Sequence, residues 1–233
     1  LSAPPNSLRE IGEGFLIRGQ ALFYATEIAN TTSYPYYICI ALTRQMASVA
    51  EYVDPKQMLT EEQLANETLS SLQMARLCFD RVGSIKKSVE ASLLYCDYAI
   101  SLFFDCCLNP ALPKKPFHVT IGTPNMVIKT KIVRQIEQIK YTSKLTQESV
   151  AIELGVMMSV IEKNTAKIMN PIYIVYSQIL MARLSLLKGE NQHAETYYDF
   201  AWTNLQKHFT NGPVFIPKHL TLHVLNMMQQ IVS

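Results

Sequence analysis

The chain has 233 residues, of which 48% are hydrophobic and 17% charged, and its formal net charge is +2. This composition excludes an intrinsically disordered chain and allows a large buried core in one domain or two. Near-neutrality removes any chain-wide attraction for nucleic acid or an anionic bilayer. No apolar run reaches the roughly 18 uncharged residues that span a membrane. The nearest, Ile168 to Ala182, is broken by Asn170, Pro171, Ser177 and Gln178, and reads as a buried helix.

Helix start and stop signals recur about every 20 to 25 residues, and strand signals are nearly absent. Ser7 with Glu10 forms a capping-box pattern that opens a helix to about Ile28, with Leu8, Ile11, Phe15, Leu22 and Ala25 on its apolar face. Gly12, Gly14 and Gly19 each cost this helix about 1 kcal/mol relative to alanine, so close approach of a neighbour is expected to compensate. Ser33 and Pro35 open a second helix that ends before Asp54-Pro55; its tyrosines and isoleucines make it apolar on most sides, as in a central helix. Thr60 and Gln63 open a third, stopped at Gly83, and a fourth runs from Ile85 to Leu108.

Pro110, Pro113, Pro116 and Pro124 then exclude a continuous helix. Within this break Phe117 to Ile121 alternates weakly, as an extended strap over the helices would. A fifth helix starts at Thr123-Pro124, with Ile132, Ile136 and Ile139 inward. A sixth follows Thr146 to about Lys163, and a seventh runs from Asn170-Pro171 to Gly189. The eighth spans Asn191 to about Phe209, and a ninth Lys218 to Ile231. The fold class expected is therefore all-α: about nine helices in antiparallel pairs, stacked as a repeat or packed as a bundle. Residues 1–109 form an N-terminal helical half, 110–123 a Pro-rich connector and 124–233 a C-terminal half, expected to pack together as one domain of a longer protein.

Candidate chemistry is sparse. His219 and His223 share a helical face, but no third ligand or general base lies near them. The five cysteines (Cys39, Cys78, Cys96, Cys106, Cys107) contain no C-x-x-C pair and sit in apolar helical contexts, as small hydrophobes do in a reducing compartment. Asp105 beside Cys106 and Cys107 would raise rather than lower a thiol pKa. Met157-Met158 and Met227-Met228 suit a helical core, or the lining of a pocket for a small apolar ligand. Nucleophile elbows, phosphate-binding glycine loops and kinase signatures are missing, and no cofactor motif is present. No enzyme activity is expected.

Between Lys114 and Lys144 seven basic residues face a single acid, Glu137. Lys129, Lys131, Arg134 and Lys140 of this run are candidates for a protein-docking face. The isoleucines between them also allow a merely solvated face of an amphipathic helix. Direct nucleic-acid binding is disfavoured because no aromatics interleave with the positives.

The sharpest local pattern is LLKGENQHAETYYDFA, Leu186 to Ala201. Gly189 ends one helix, and Ala194, Tyr198 and Ala201 fall on one face of the next, small residues where two backbones cross with an aromatic between them. In this it resembles the second half of a tetratricopeptide (TPR) repeat, with Ala182 at the small position of the first helix. Gln178, Ser185 and Gln206 depart from the family's tryptophan, aromatic and proline positions, so about one repeat is covered. More faintly, long aromatic helices followed by NPALPKKP and then GPVFIPKHL resemble the helical regulatory domain of fungal zinc-cluster transcription factors, without the cysteine cluster. The TPR resemblance implies a non-catalytic domain that binds a protein partner, and the free cysteines place it inside the cell, in nucleus or cytoplasm. The second implies a ligand-sensing regulatory domain, placed in the nucleus.

Overall fold

A computed structural model describes residues 7–32, 61–108, 119–122 and 142–210. They form six helices and two short strands: α1 (Leu8–Thr32), α2 (Glu61–Arg81), α3 (Ile85–Leu108), β1 (Val119–Gly122), β2 (Thr142–Leu145), α4 (Gln147–Ile168), α5 (Pro171–Leu187) and α6 (Asn191–Thr210). The chain is thus mostly helical where it is described. The expected second, fifth and ninth helices fall outside the described residues.

Local chemistry accounts for the helix ends. Ser7 Oγ accepts from the Glu10 amide at 3.3 Å to start α1. Thr146 caps α4 through a reciprocal pair, its side chain accepting from the Ser149 amide and its own amide donating to Ser149 Oγ at 2.8 Å. Asn170 Oδ1 accepts from the Ile172 amide to start α5, with Pro171 in the first turn where its missing N–H costs nothing. Two helices stop in the same way. Gly83 (φ +69°) and Gly189 (φ +76°) adopt the left-handed conformation, and the next amide reaches back across the turn: Ser84 to the Phe79 carbonyl and Glu190 to the Ser185 carbonyl, each at 2.9 Å. The hairpins α2–α3 and α5–α6 therefore share one turn geometry. Helix α4 passes Lys163, where a stop was expected, because nothing there breaks it; it ends at Met169, held left-handed at φ 51°.

The all-α expectation holds for the described residues, with one short strand pair added to the helices. β1 pairs antiparallel with β2, Val119 opposite Leu145 and Gly122 opposite Thr142. Ile121 and Leu145 enter the core, each 1% exposed. The strap expected over Phe117–Ile121 is thus a strand along Val119–Gly122, against α2. Its partner TSKL is polar and short, and it becomes a strand only through that pairing.

Side-chain contacts give the helix directions. Gly12 meets Cys78 and Phe79, and Gly19 meets Leu72, so α1 runs antiparallel to α2. Tyr95 bonds Glu153 while Gln147 reaches the Phe103 carbonyl, so α3 and α4 are antiparallel. Glu90 bonds Tyr173 and Ser101 bonds Arg183, so α3 and α5 run parallel. The described helices alternate up and down, each packed on its neighbours. A Cβ on Gly19 would lie 2.5 Å from Leu72 Cδ2, and one on Gly12 3.0 Å from Cys78 Cβ. The glycines in α1 therefore permit close helix approach at these two positions; Gly14 has nothing within 4 Å. One hydrophobic cluster runs from Ile11 and Phe15 of α1 through Tyr95 and Ile100 of α3 to Tyr176, Ala201 and Leu205, joining residues before and after the Pro-rich connector. Helix α5 is buried on nearly every side, so it has no polar face to define its orientation.

Candidate functional site

Two groups of polar residues stand out, and they differ in access to solvent. The first is buried between α3 and α5. Glu90 and Asp97 lie seven apart on α3 and so point the same way. Asp97, 1% exposed, accepts from Arg183 Nη1 at 2.7 Å and from the Tyr176 hydroxyl at 2.6 Å. Arg183 Nη2 also donates to Ser101 Oγ at 3.2 Å. Two turns to the N-terminal side, Glu90 accepts from Tyr173 at 3.2 Å, Lys87 at 3.0 Å and Gln20 at 3.3 Å. Burial and the neighbouring Glu90 carboxylate hold the Tyr173 hydroxyl well above its usual pKa. These carboxylates tie α3 to α1 and α5.

The second group lines an open cleft of about 320 Å³ between the α2–α3 hairpin and α4. Val89, Met157 and Ile161 form its apolar floor. Its rim is polar: Arg76, Asp80, Ser88, Ser92, Glu153 and Asn164. Arg76 is held by Gln73 at 3.0 Å and Asp80 at 3.3 Å, Asp80 also accepts from Ser88, and Glu153 accepts from the Tyr95 hydroxyl at 3.2 Å. Val156 and Val160 of α4 also line the cleft, and with Ile152 next to them they stand 66%, 52% and 72% exposed. Spacing of four residues puts them on one side of the helix. The three form a line of solvent-exposed β-branched residues at the edge of the cleft.

The residues singled out from sequence fall variously. Lys129, Lys131, Arg134 and Lys140 lie outside the described residues, as do His219, His223, Met227 and Met228; Lys144 is exposed on β2. Gly189 sits in the α5–α6 turn, Ala194 and Ala201 are buried at 5% and 0%, and Tyr198 packs against the core. Gln178, at the family's tryptophan position, instead accepts from the Asn204 side chain at 3.2 Å and so bridges the same two helices. Met158 is wholly buried, whereas Met157 belongs to the cleft floor. Cys78 and Cys96 are free and buried; burial pushes the Cys78 thiol up to about 11 and Cys96 higher still. The side chains of Cys106 and Cys107, and all of Cys39, lie outside what is described.

The α4 stripe was missed in sequence although its signal was present. Ile152, Val156 and Val160 extend the apolar pattern of Val150, Leu154 and Ile161 beyond the arc that one buried face needs. Among the described residues no group of three or more His, Cys, Asp or Glu could hold a metal ion, and no helix is long and apolar enough to cross a membrane. Comparison with protein-family models, curated proteins and solved structures finds no match to this chain.

Proposed function

We propose that this chain is a non-catalytic protein-interaction or regulatory domain that holds a partner segment against α4 and the cleft beside it. One observation carries the reading: a line of exposed β-branched residues, Ile152, Val156 and Val160, borders a cleft with an apolar floor and a rim already ordered by its own hydrogen bonds. A segment that laid apolar side chains there would need little rearrangement of the domain. The α5–α6 hairpin, with its glycine turn and buried alanines, adds an analogy at the level of architecture to helical-repeat scaffolds. Buried free Cys78 and Cys96 suit an intracellular setting. The basic residues Lys129, Lys131, Arg134 and Lys140 are retained as a second candidate contact for a protein partner.

Peptides selected against the full chain from a random display library test this reading. Binding is expected to be lost in Val156→Glu and Val160→Glu, with the melting temperature unchanged because both side chains are exposed. Selected peptides insensitive to both substitutions would refute the proposal. The second reading, a sensor for a small apolar ligand, has Met157 in the cleft floor in its favour; it calls for a thermal shift with a hydrophobic metabolite that Val89→Trp, which fills the floor, abolishes.

A further inference from the structure

Along α4 five residues of the exposed face are placed symmetrically, while exposed Val160, Glu162 and Ala166 beside them have no matching counterparts. Glu148, Ile152, Val156, Ser159 and Lys163 are all exposed, and at about 100° per residue they fall within an arc of about 80°. Their positions are also symmetric about a point between Gly155 and Val156. Glu148 and Lys163 lie equally far from it on opposite sides, as do Ile152 and Ser159. Gly155 flanks the stripe, with open space where a Cβ would be.

The geometry points to a second copy of this chain as an occupant of the face, with α4 packed antiparallel on α4 of its partner about a twofold axis at residues 155 and 156. The inference rests on the reading of this face as a docking surface and names its partner. In that arrangement Glu148 of each protomer, in the first turn of α4, meets Lys163 of the other. Large Ile152 lies opposite small Ser159, Val156 packs across the axis, and Gly155 lets the backbones approach. A twofold interface requires a surface complementary to itself, and opposite charges equidistant from a shared centre supply that. Neither Glu148 nor Lys163 has an ion pair or hydrogen bond within the described chain, so neither must leave a partner to form the new contact. The alternative of a parallel pairing would set Glu148 beside Glu148 and Lys163 beside Lys163.

The size of the contact bounds its strength. From Glu148 to Lys163 the strip is about 23 Å long and about 10 Å wide, which falls short of the ~800 Å² per partner typical of a stable complex. The dimer is therefore weak and reversible.

Sedimentation equilibrium of the full 233-residue chain, from low micromolar to near-millimolar concentration, tests it. Wild type is expected to pass from monomer to dimer, and Val156→Glu to stay monomeric throughout. Glu148→Lys and Lys163→Glu should each weaken dimerisation about tenfold, since each sets two like-charge contacts across the axis, and the double swap E148K/K163E should restore it. Circular dichroism establishes that each variant folds. Lys163→Glu is the cleaner single change, because Glu148 also favours its own helix start. A wild-type chain that stays monomeric overturns self-association, as does a dimer indifferent to Val156→Glu or one the double swap fails to restore. The docking reading fails separately, when selected peptides ignore Val156 and Val160, so the two failures are distinguishable.

Discussion

Replacing Arg183 by methionine is expected to be among the most damaging conservative-volume changes in the chain. Its guanidinium lies 2.7 Å from Asp97 Oδ1, and the two side chains are only 12% and 2% exposed. Water cannot replace the lost partner at that depth, so the substitution leaves the Asp97 carboxylate charged in a poor medium with the Tyr176 hydroxyl beside it. Breaking one side of a buried pair costs about 3 to 5 kcal/mol, a large part of the ~5 to 15 kcal/mol that stabilises an ordinary domain. At ~2 to 4 °C per kcal/mol for a chain of this size, the melting temperature should fall by about 6 to 20 °C. Urea unfolding followed by circular dichroism measures the loss. The second half of the cycle carries the argument: the double substitution Asp97→Leu, Arg183→Met removes both charges and should recover most of the stability, because burying neither ion avoids both desolvation penalties. A loss below about 1 kcal/mol for Arg183→Met, the value of a solvent-screened surface pair, would refute the description of this contact as buried and structural. So would a double variant no more stable than the single one.

The remaining predictions follow from glycine packing and from thiol burial. Gly19→Ala should destabilise by about 1 to 3 kcal/mol, because the new methyl would sit 2.5 Å from Leu72 Cδ2 in a filled interior. Gly14→Ala, with nothing within 4 Å, should stabilise by up to about 1 kcal/mol; thermal melts of both variants check this, and equal shifts would show that α1 and α2 are not in close contact at Gly19. The Cys78 thiol is raised from its ordinary 9.0 to about 11 by burial, so the folded state holds this proton more tightly than the unfolded state. Its contribution is fully present below pH 9 and is lost as pH rises towards 11, at about 1.4 kcal/mol per pH unit. Cys78→Ala should therefore show a shallower fall in stability across that window than wild type, and parallel curves would contradict the assignment.

The legible parts of this chain were those in which a few neighbouring residues carry the physics. Thr146, Asn170-Pro171, Gly83 and Gly189 each satisfy backbone groups within one helical turn, so the helix starts and stops near them could be read directly. The cost of Gly12 and Gly19 was equally visible, and it implied a neighbour close by without saying which. Strand β2 was not legible. Thr142, Ser143 and Lys144 have no apolar alternation, and their extended conformation depends on pairing with a segment 20 to 24 residues earlier. The end of α4 is not legible for a related reason: Thr165, beyond the expected stop near Lys163, is buried and its hydroxyl bonds the Glu162 carbonyl within the helix.

By itself the sequence determined a mostly helical chain with hairpin turns at Gly83 and Gly189, because capping and turn chemistry act over four or five residues. Tertiary structure alone decided which polar residues are buried in structural work and which face solvent. Asp97 and Arg183 are 86 residues apart, and nothing near either one announces the other. Ile152, Val156 and Val160 look like core residues until the packing of α3 and α5 against the opposite side of α4 leaves them outside. An apolar stripe becomes a surface only relative to the neighbours that do not cover it, and that depends on the whole fold.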